Sequence, residues 1–330
     1  MIELLYNVDG DNMSKKVYII IVSILVVVLG TLTTILIIKG PVKKSNTTYG
    51  TEAKEYLKTF DLELREENGE KYYVVTGLTS GYGRSLTKIE YPETIDGITV
   101  KRIETNENKF IELKNVKYLN IPKTIEFIGI GSTNEENFFD GASNLESINV
   151  SSLNEKYTSI NGVLYNKEKN ILLKYPAKKQ STSFEIIESV EIINDYAFYG
   201  TSFLTSVTIS KNVSTIKNSA FRNSSALSTV DFTNCLNLEV IESFAFASSD
   251  KLDNVKLPNT LKELGSNVFA GCKILSYLFI PSSVVTFGYN ITSVCPNIVI
   301  YTSSDNLDFL KENAKHFSTS KNFEEKIMAE

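Results

Sequence analysis

The chain has 330 residues, with 34 Lys and Arg against 39 Asp and Glu, a net charge of −5 and an isoelectric point near 5.3. That balance excludes a sequence-independent nucleic-acid binder, which needs a strong basic surplus. One histidine, His316, excludes a His-rich metal site or a His-based triad, and three cysteines exclude a disulfide-dense scaffold.

Val17 to Ile38 is a run of 22 residues with no charge. As a helix it spans about 33 Å at about 1.5 Å per residue, enough for a bilayer core. The run is longer than the apolar core of a signal peptide, and it ends in Lys39-Gly40-Pro41 with no small-residue cleavage site. The sequence predicts a membrane anchor over 17–38, a cytoplasmic segment over 1–16 and a flexible juxtamembrane linker over 39–59. Lys15 and Lys16 before the run, against Lys39, Lys43 and Lys44 after it, leave the orientation undecided by charge. Met13, just before Ser14-Lys15-Lys16, reads as an alternative start to Met1.

Phe60 to Gly77 reads as a hairpin with its turn at Glu66 to Glu70, closing the first rung of a repeat array over 60–317. The repeats are clearest further on. Ala197-Phe198, Ala220-Phe221, Ala245-Phe246 and Val268-Phe269 recur at steps of 23, 25 and 23. After each pair come Leu204, Leu227, Leu252 and Leu275, then Val207, Val230, Val255 and Leu278, then Ile209, Phe232, Leu257 and Ile280. Ile193, Ile216, Ile241 and Leu264 close the units. The V-x-I alternation places two apolar side chains on one face of a strand and the residue between them on the other. A unit this small cannot bury its own apolar face, so copies must stack in parallel. Strand positions end at Tyr91, Ile121, Val150, Ile186, Ile209, Phe232, Leu257 and Ile280, with a ninth within Ile298 to Tyr301. At about 4.8 Å between strands, nine rungs make a sheet about 43 Å long.

Asn161-Gly162 marks a tight turn, and Val163 to Tyr165 should pair with Ile171 to Leu173. Leu307, Leu310 and Ala314 have helical spacing, which predicts a C-terminal capping helix over Asp305 to Phe317 with Ser304 or Asp305 as N-cap. Residues 318–330 are left as a tail.

Catalytic, metal and cofactor sites are not expected. Gly77-Leu-Thr-Ser-Gly81-Tyr-Gly83 lacks the spacing of a phosphate cradle and reads as a surface loop. His316, with no base-and-nucleophile pair, reads as a helix-end residue. Cys272 and Cys295 share a column one repeat apart, which allows a disulfide or two small buried apolar side chains; Cys235 is off-column. Binding is the better idea. The residues between the inward apolar positions face out: Thr229 and Asp231, Asn254 and Lys256, Tyr277 and Phe279. Exposed aromatics among polar neighbours suit an interface. The alternatives are that the C-terminal helix covers them, or that they are there as strand formers.

The units resemble BspA-type leucine-rich repeats: Ala-Phe followed by Leu-x-x-Val-x-Ile-Pro, as in Leu275-Ser-Tyr-Leu-Phe-Ile-Pro281. Tyr73-Val-Val-Thr-Gly77 through Ile98 is similar to that family's opening cap, and Ser159-Ile-Asn-Gly-Val-Leu-Tyr165 with Lys174-Tyr-Pro176 to a hairpin insertion common in it. The departures are the insertion at Gly129 to Asn137 and the missing Ala-Phe pair around Glu107 and Ile291. The resemblance implies a mainly β leucine-rich-repeat solenoid lying outside the cell. Its implied function is recognition of, or adhesion to, a protein or glycan, without catalysis. A membrane-tethered scaffold for partners of the same cell is the alternative, and a surface hydrolase a more distant one.

Overall fold

Each repeat contributes two short strands rather than one. In the computed structural model, which describes residues 50–105, 113–130, 139, 141–318 and 327–329 with two dipeptides at Val27–Val28 and Thr31–Leu32, the V-x-I columns form a first face of parallel strands. These are Lys88–Glu90, Tyr118–Ile121 and Ser147–Val150, then Ser183–Glu185, Ser206–Thr208 and Thr229–Asp231, then Asn254–Lys256, Tyr277–Phe279, Val299–Thr302 and Ile327–Ala329. The predicted nine rungs are all present. The single apolar residues that closed each unit form a second sheet, through Ile192–Ile193, Thr215–Ile216, Val240–Ile241, Glu263–Leu264 and Thr286–Phe287. Its first strands are the predicted insertion hairpin, Tyr157–Ile160 with Val163–Asn166, then Ile171–Lys174.

The first face is laddered in three sections. No strand pairing joins Thr229–Asp231 to Asn254–Lys256, whereas the second sheet runs unbroken past the same point. The break coincides with the step of 25, where extra residues follow Asp231.

Between the faces lies the core. Phe198, Phe221, Phe246 and Phe269 are fully buried and stack at 4.5, 5.0 and 5.5 Å between ring centroids, with interplanar angles of 11°, 7° and 10°. Two backbone columns flank this stack in the left-handed region. Tyr196, Ser219, Phe244, Asn267 and Asn290 form one; Gly200, Asn223, Ser248, Gly271 and Val294 form the other. Gly and Asn suit that region, and a β-branched residue does not. Val294, at φ 58° and 80% exposed, is the strained member.

Polar groups inside the solenoid are also arranged by column. Ser224 and Ser249 donate from Oγ to the carbonyls of Phe198 and Phe221, at 3.0 and 2.9 Å. Cys272 and Cys295 continue the column, their Sγ atoms donating to the Phe246 and Phe269 carbonyls at 3.2 and 3.1 Å. Both are free thiols, as is Cys235. The two sulfurs are not bonded to each other in this structure; each points back along the array to a carbonyl that also accepts a backbone N–H, from Ser249 and Cys272 respectively. At the insertion, Asn154 is fully buried and fully used. Its Nδ2 donates to the Pro122 and Ile125 carbonyls at 2.8 and 2.9 Å, and its Oδ1 accepts from the N–H groups of Lys156 and Tyr157 at 2.8 and 2.7 Å.

The ends differ more from expectation. The hairpin Phe60–Glu67 and Glu70–Leu78 turns at Asn68-Gly69 as predicted, and it extends into a sheet with Ile98–Thr105 and Phe127–Ile130. Order starts earlier than the predicted boundary at residue 60, with a helix at Thr51–Tyr56. Its N-terminus is held from outside: Asp96 accepts from the N–H groups of Glu52 and Ala53 at 3.1 and 3.3 Å, while Glu52 accepts from the Asp96 N–H at 2.7 Å. The C-terminal helix is broken into Ser304–Asn306, Leu307–Glu312 and Ala314–His316. Neither Ser304 nor Asp305 caps it; the first turn starts after Ser303, without a side-chain cap. The predicted tail contributes a tenth strand, Ile327–Ala329, parallel to Val299–Thr302 with Ile327 buried.

Of the predicted anchor, only Val27–Val28 and Thr31–Leu32 are described, and they pair antiparallel. The rest of 17–38, like 1–16 and 39–49, lies outside the described residues, as does most of the Gly129 to Asn137 insertion. Among the described residues no helix is long and apolar enough to cross a membrane.

Candidate functional site

The six outward residues singled out in the sequence lie on successive rungs of the first face, and the break in its hydrogen-bond ladder falls between Thr229 and Asp231 on one side and Asn254, Lys256, Tyr277 and Phe279 on the other. Thr229 is exposed. Asp231 turns back on its own chain, accepting from the Thr233 N–H at 2.8 Å; the hydroxyl and N–H of Thr233 hold its carboxyl below the usual range. Asn254 is exposed and donates to Asp253 at 2.9 Å, and Asp253 also accepts from Ser276 Oγ at 2.7 Å. These polar groups are engaged locally.

Beyond the break the face becomes aromatic. Lys256 Nζ sits 4.9 Å from the centre of the Phe279 ring, a cation–π contact across adjacent strands. Tyr301 lies opposite Phe279 in the ladder but stacks on Tyr277, with centroids 4.7 Å apart and 24° between planes. Leu278 and Ile300 alternate with these residues and are fully buried, which fixes the aromatics outward. Tyr277, Phe279 and Tyr301 are half-buried, and Met328 on the next strand is 50% exposed. The C-terminal helix lies beside the tenth strand, Ile327–Ala329, and its rings meet the second sheet, with Phe287 facing Phe309 at 6.2 Å and Phe317 at 5.3 Å. Sequence reasoning missed Tyr301 because the register of its strand was ambiguous; the alternation Val299-Ile300-Tyr301 held the signal.

The opposite end of the same face is polar. Asn149 donates to Asn120 and Asn120 to Glu90, both at 3.1 Å, a side-chain ladder running along the array. On the N-terminal sheet, Glu104 is almost fully buried and ion-paired with Arg65 and Arg102, and Arg102 lies 3.9 Å over the Phe127 ring. Beside it a cavity of about 170 Å³ is lined by Glu67, Glu70, Tyr72, Lys101, Arg102 and Glu126, among others, with Lys101 bridging Glu70 and Glu126 at 2.9 and 3.4 Å. The hydrogen bond to Glu70 is the main cause raising the Lys101 pKa. The cationic groups here already have carboxylate partners, so the cluster acts as a structural clasp.

Nothing described assembles a reactive site. His316 Nδ1 lies 2.8 Å from the Gly288 carbonyl and its ring stacks on Tyr289 at 5.3 Å, which fastens the C-terminal helix to the last rung. Burial pushes the Cys235 and Cys295 thiols up to about 11 and raises Cys272 as well, the reverse of an activated nucleophile. Among the described residues no three His, Cys, Asp or Glu side chains gather to hold a metal ion.

Comparison with known proteins places this geometry. Residues 174–299 match the BspA type leucine rich repeat region in six copies. No curated protein sequence matches the chain. Among solved structures, the pneumococcal vaccine antigen PcpA is similar with a TM-score of 0.56 and 21% identity, over 74% of this chain and 68% of that one. A leucine rich cell surface protein of Faecalibacterium prausnitzii gives a TM-score of 0.55 and 24% identity, over 71% of this chain and 62% of that one. The chain thus spans less than two thirds of the latter's length. At these identities the likeness is one of fold. The chain is accordingly a mainly β solenoid that shares its fold with these leucine-rich-repeat proteins, and its residues 174–299 match the BspA type.

Proposed function

We propose that the protein is a recognition module of the cell surface, which binds a protein or glycan ligand through the far end of its first face. The aromatic strip carries this reading. Tyr277, Phe279 and Tyr301 stand outward on adjacent strands beside Lys256, with Asn254 at the edge, on a face whose earlier rungs are mainly polar. Aromatic clusters of this kind dominate binding energy where they occur in interfaces. The uncharged run over 17–38 serves as the membrane anchor in this reading, with the solenoid outside. The cell-surface description of the Faecalibacterium protein agrees with that placement.

The binding test replaces Tyr277 and Phe279 together by alanine and measures attachment of the purified protein to host or neighbouring cells. A tenfold or greater loss, about 1.4 kcal/mol or more, with an unchanged thermal melt supports the site; unchanged attachment removes it. Topology is tested by protease shaving of intact cells. Cleavage at Lys43 or Lys58 supports an outward solenoid. Protection in intact protoplasts, with cleavage after lysis, would instead make the protein a tethered scaffold inside the cell.

A further inference from the structure

We propose a second binding site, at the near end of the first face, for an uncharged sugar chain: one pyranose lies on the Tyr118 ring, and the row formed by Asn120, Asn149 and Glu90 takes its hydroxyls. The site occupies the first section of the ladder, Lys88–Glu90, Tyr118–Ile121 and Ser147–Val150, and is separate from the aromatic strip. Three observations select this ligand.

The first is an open ring. Tyr118 is 41% exposed, and its hydroxyl donates to Glu146 at 2.8 Å, which fixes the ring in place. Tyr277 and Phe279 each have a ring or a cation against them, whereas among the described residues Tyr118 has neither. The negative face of an aromatic ring attracts the C–H groups on the flat side of a pyranose.

The second is a polar row with capacity to spare. Asn149 Nδ2 donates to Asn120 Oδ1 and Asn120 Nδ2 to Glu90 Oε1, both at 3.1 Å, while Asn149 Oδ1 accepts from Ser147 Oγ at 3.3 Å. Each amide nitrogen carries two hydrogens, so Asn120 and Asn149 each retain one donor. Lys88 and Asn120 both use Glu90 Oε1, which leaves Oε2 as an acceptor. The ladder holds these groups in position before a ligand arrives, which reduces the ordering cost of binding. Tyr118 and Asn120 are two residues apart on one strand, about 7 Å, and the row crosses three strands in about 10 Å. A sugar ring over Tyr118 therefore presents its hydroxyl edge to Asn120, and the row continues beneath a linked unit. On the far side the insertion hairpin walls the patch. The Ile148 N–H donates to the Gly162 carbonyl at 3.0 Å, and a Cβ on Gly162 would lie 2.6 Å from Ser147 Oγ, so glycine is what lets the turn come this close.

The third is charge. Lys88 pairs with Glu90 at 2.6 Å and Lys117 with Glu146 at 3.2 Å, so the charged side chains of the patch cancel. That balance matches an uncharged partner and gives no preference to a sulfated sugar or a charged peptide.

The test uses the full chain in nanodiscs of neutral lipid and saturation-transfer NMR. The probes are maltohexaose, cellohexaose and chitohexaose in its N-acetylated form, with a sulfated hexasaccharide as the charged control. At least one neutral probe should receive saturation, with an affinity that does not change as salt is raised. Tyr118→Ala should abolish the signal. Asn120→Asp keeps the shape but removes the donor, and should weaken binding at least about fivefold. Tyr118→Phe keeps the ring and should still bind, as should the double variant Tyr277→Ala with Phe279→Ala. Silence from all three neutral probes would overturn the assignment. So would a signal that survives both Tyr118→Ala and Asn120→Asp, one lost in the Tyr277 and Phe279 variant, or a sulfated probe that binds best and is displaced by salt. Cell attachment through the aromatic strip is read separately, so either proposal can fail without the other.

Discussion

If the buried phenylalanines act as one stacked column, neighbouring members must be energetically coupled and distant ones must not. Phe221 lies 4.5 Å from Phe198 and 5.0 Å from Phe246, nearly parallel to both. Phe221→Leu keeps most of the buried apolar area but gives up two ring contacts, each worth about 0.5–1.5 kcal/mol. The expected cost is about 1–3 kcal/mol, and Phe246→Leu should cost about the same. One contact is shared, so the double variant should cost about 1 kcal/mol less than the sum of the two. Phe198 and Phe269 do not touch, and their leucine variants should add within about 0.5 kcal/mol. Urea denaturation measures all four corners of each cycle, with the slope as a check that the array still unfolds cooperatively. A Phe221/Phe246 cycle that closes within about 0.3 kcal/mol would show that the rings are independent space-fillers, and the column argument would fail.

Three further outcomes follow from the same structure. Asn154→Ala takes a side-chain partner from four backbone groups, in two buried and two half-buried hydrogen bonds, and should cost about 3 kcal/mol, read as a drop in melting temperature of about 10 °C. Val294→Asn should relieve left-handed strain and raise the unfolding free energy by about 1 kcal/mol, read as a higher urea midpoint at unchanged slope; no gain would show that the loop adapts to valine. Burial first, and the charge of Asp195 second, raise the Glu242 pKa, while Glu242 accepts the Asn218 N–H at 3.0 Å. The folded state therefore holds this proton more tightly than the unfolded chain. That contribution to stability is present at acid pH and is lost as pH rises through the raised pKa. Glu242→Gln keeps the acceptor, so it should stabilise at pH 7 and change nothing below about pH 4; an advantage equal at both pH values would refute the electrostatic cause.

Most of the solenoid was legible because its information is columnar. A Val at position 207 says little, but Val207, Val230, Val255 and Leu278 in register specify a ladder. The two hairpin turns were legible for a local reason, since Asn68-Gly69 and Asn161-Gly162 need left-handed backbone at both residues and have it. What escaped was set by partners far away in sequence or by irregular spacing. The helix at Thr51–Tyr56 is only six residues long and depends on Asp96 for its N-terminus. The second sheet escaped because two-residue strands carry one apolar column, too little for a period. The tenth strand follows a helix in place of a normal return arm, which shifts Ile327 off the repeat. The site was legible in part: alternation predicted that Tyr277 and Phe279 face out, and the step of 25 marks where the ladder breaks, but the stacking of Tyr301 on Tyr277 has no signature in any single repeat.

That break has a mechanical consequence. A parallel ladder resists being opened because each rung is hydrogen-bonded to the next, and a solenoid with two such ladders is stiff in both bending directions. Between Thr229–Asp231 and Asn254–Lys256 the first face carries no ladder bonds, but two other rails run on: the second sheet, and the turn column, where the N–H groups of Ser219, Phe221 and Asn223 donate to the Ser243, Ala245 and Ala247 carbonyls at 3.0, 2.7 and 2.9 Å. The Phe221–Phe246 stack lies between these rails and holds the interior closed. The looseness at this joint is therefore confined to the first face, at the border of the strand that carries Lys256.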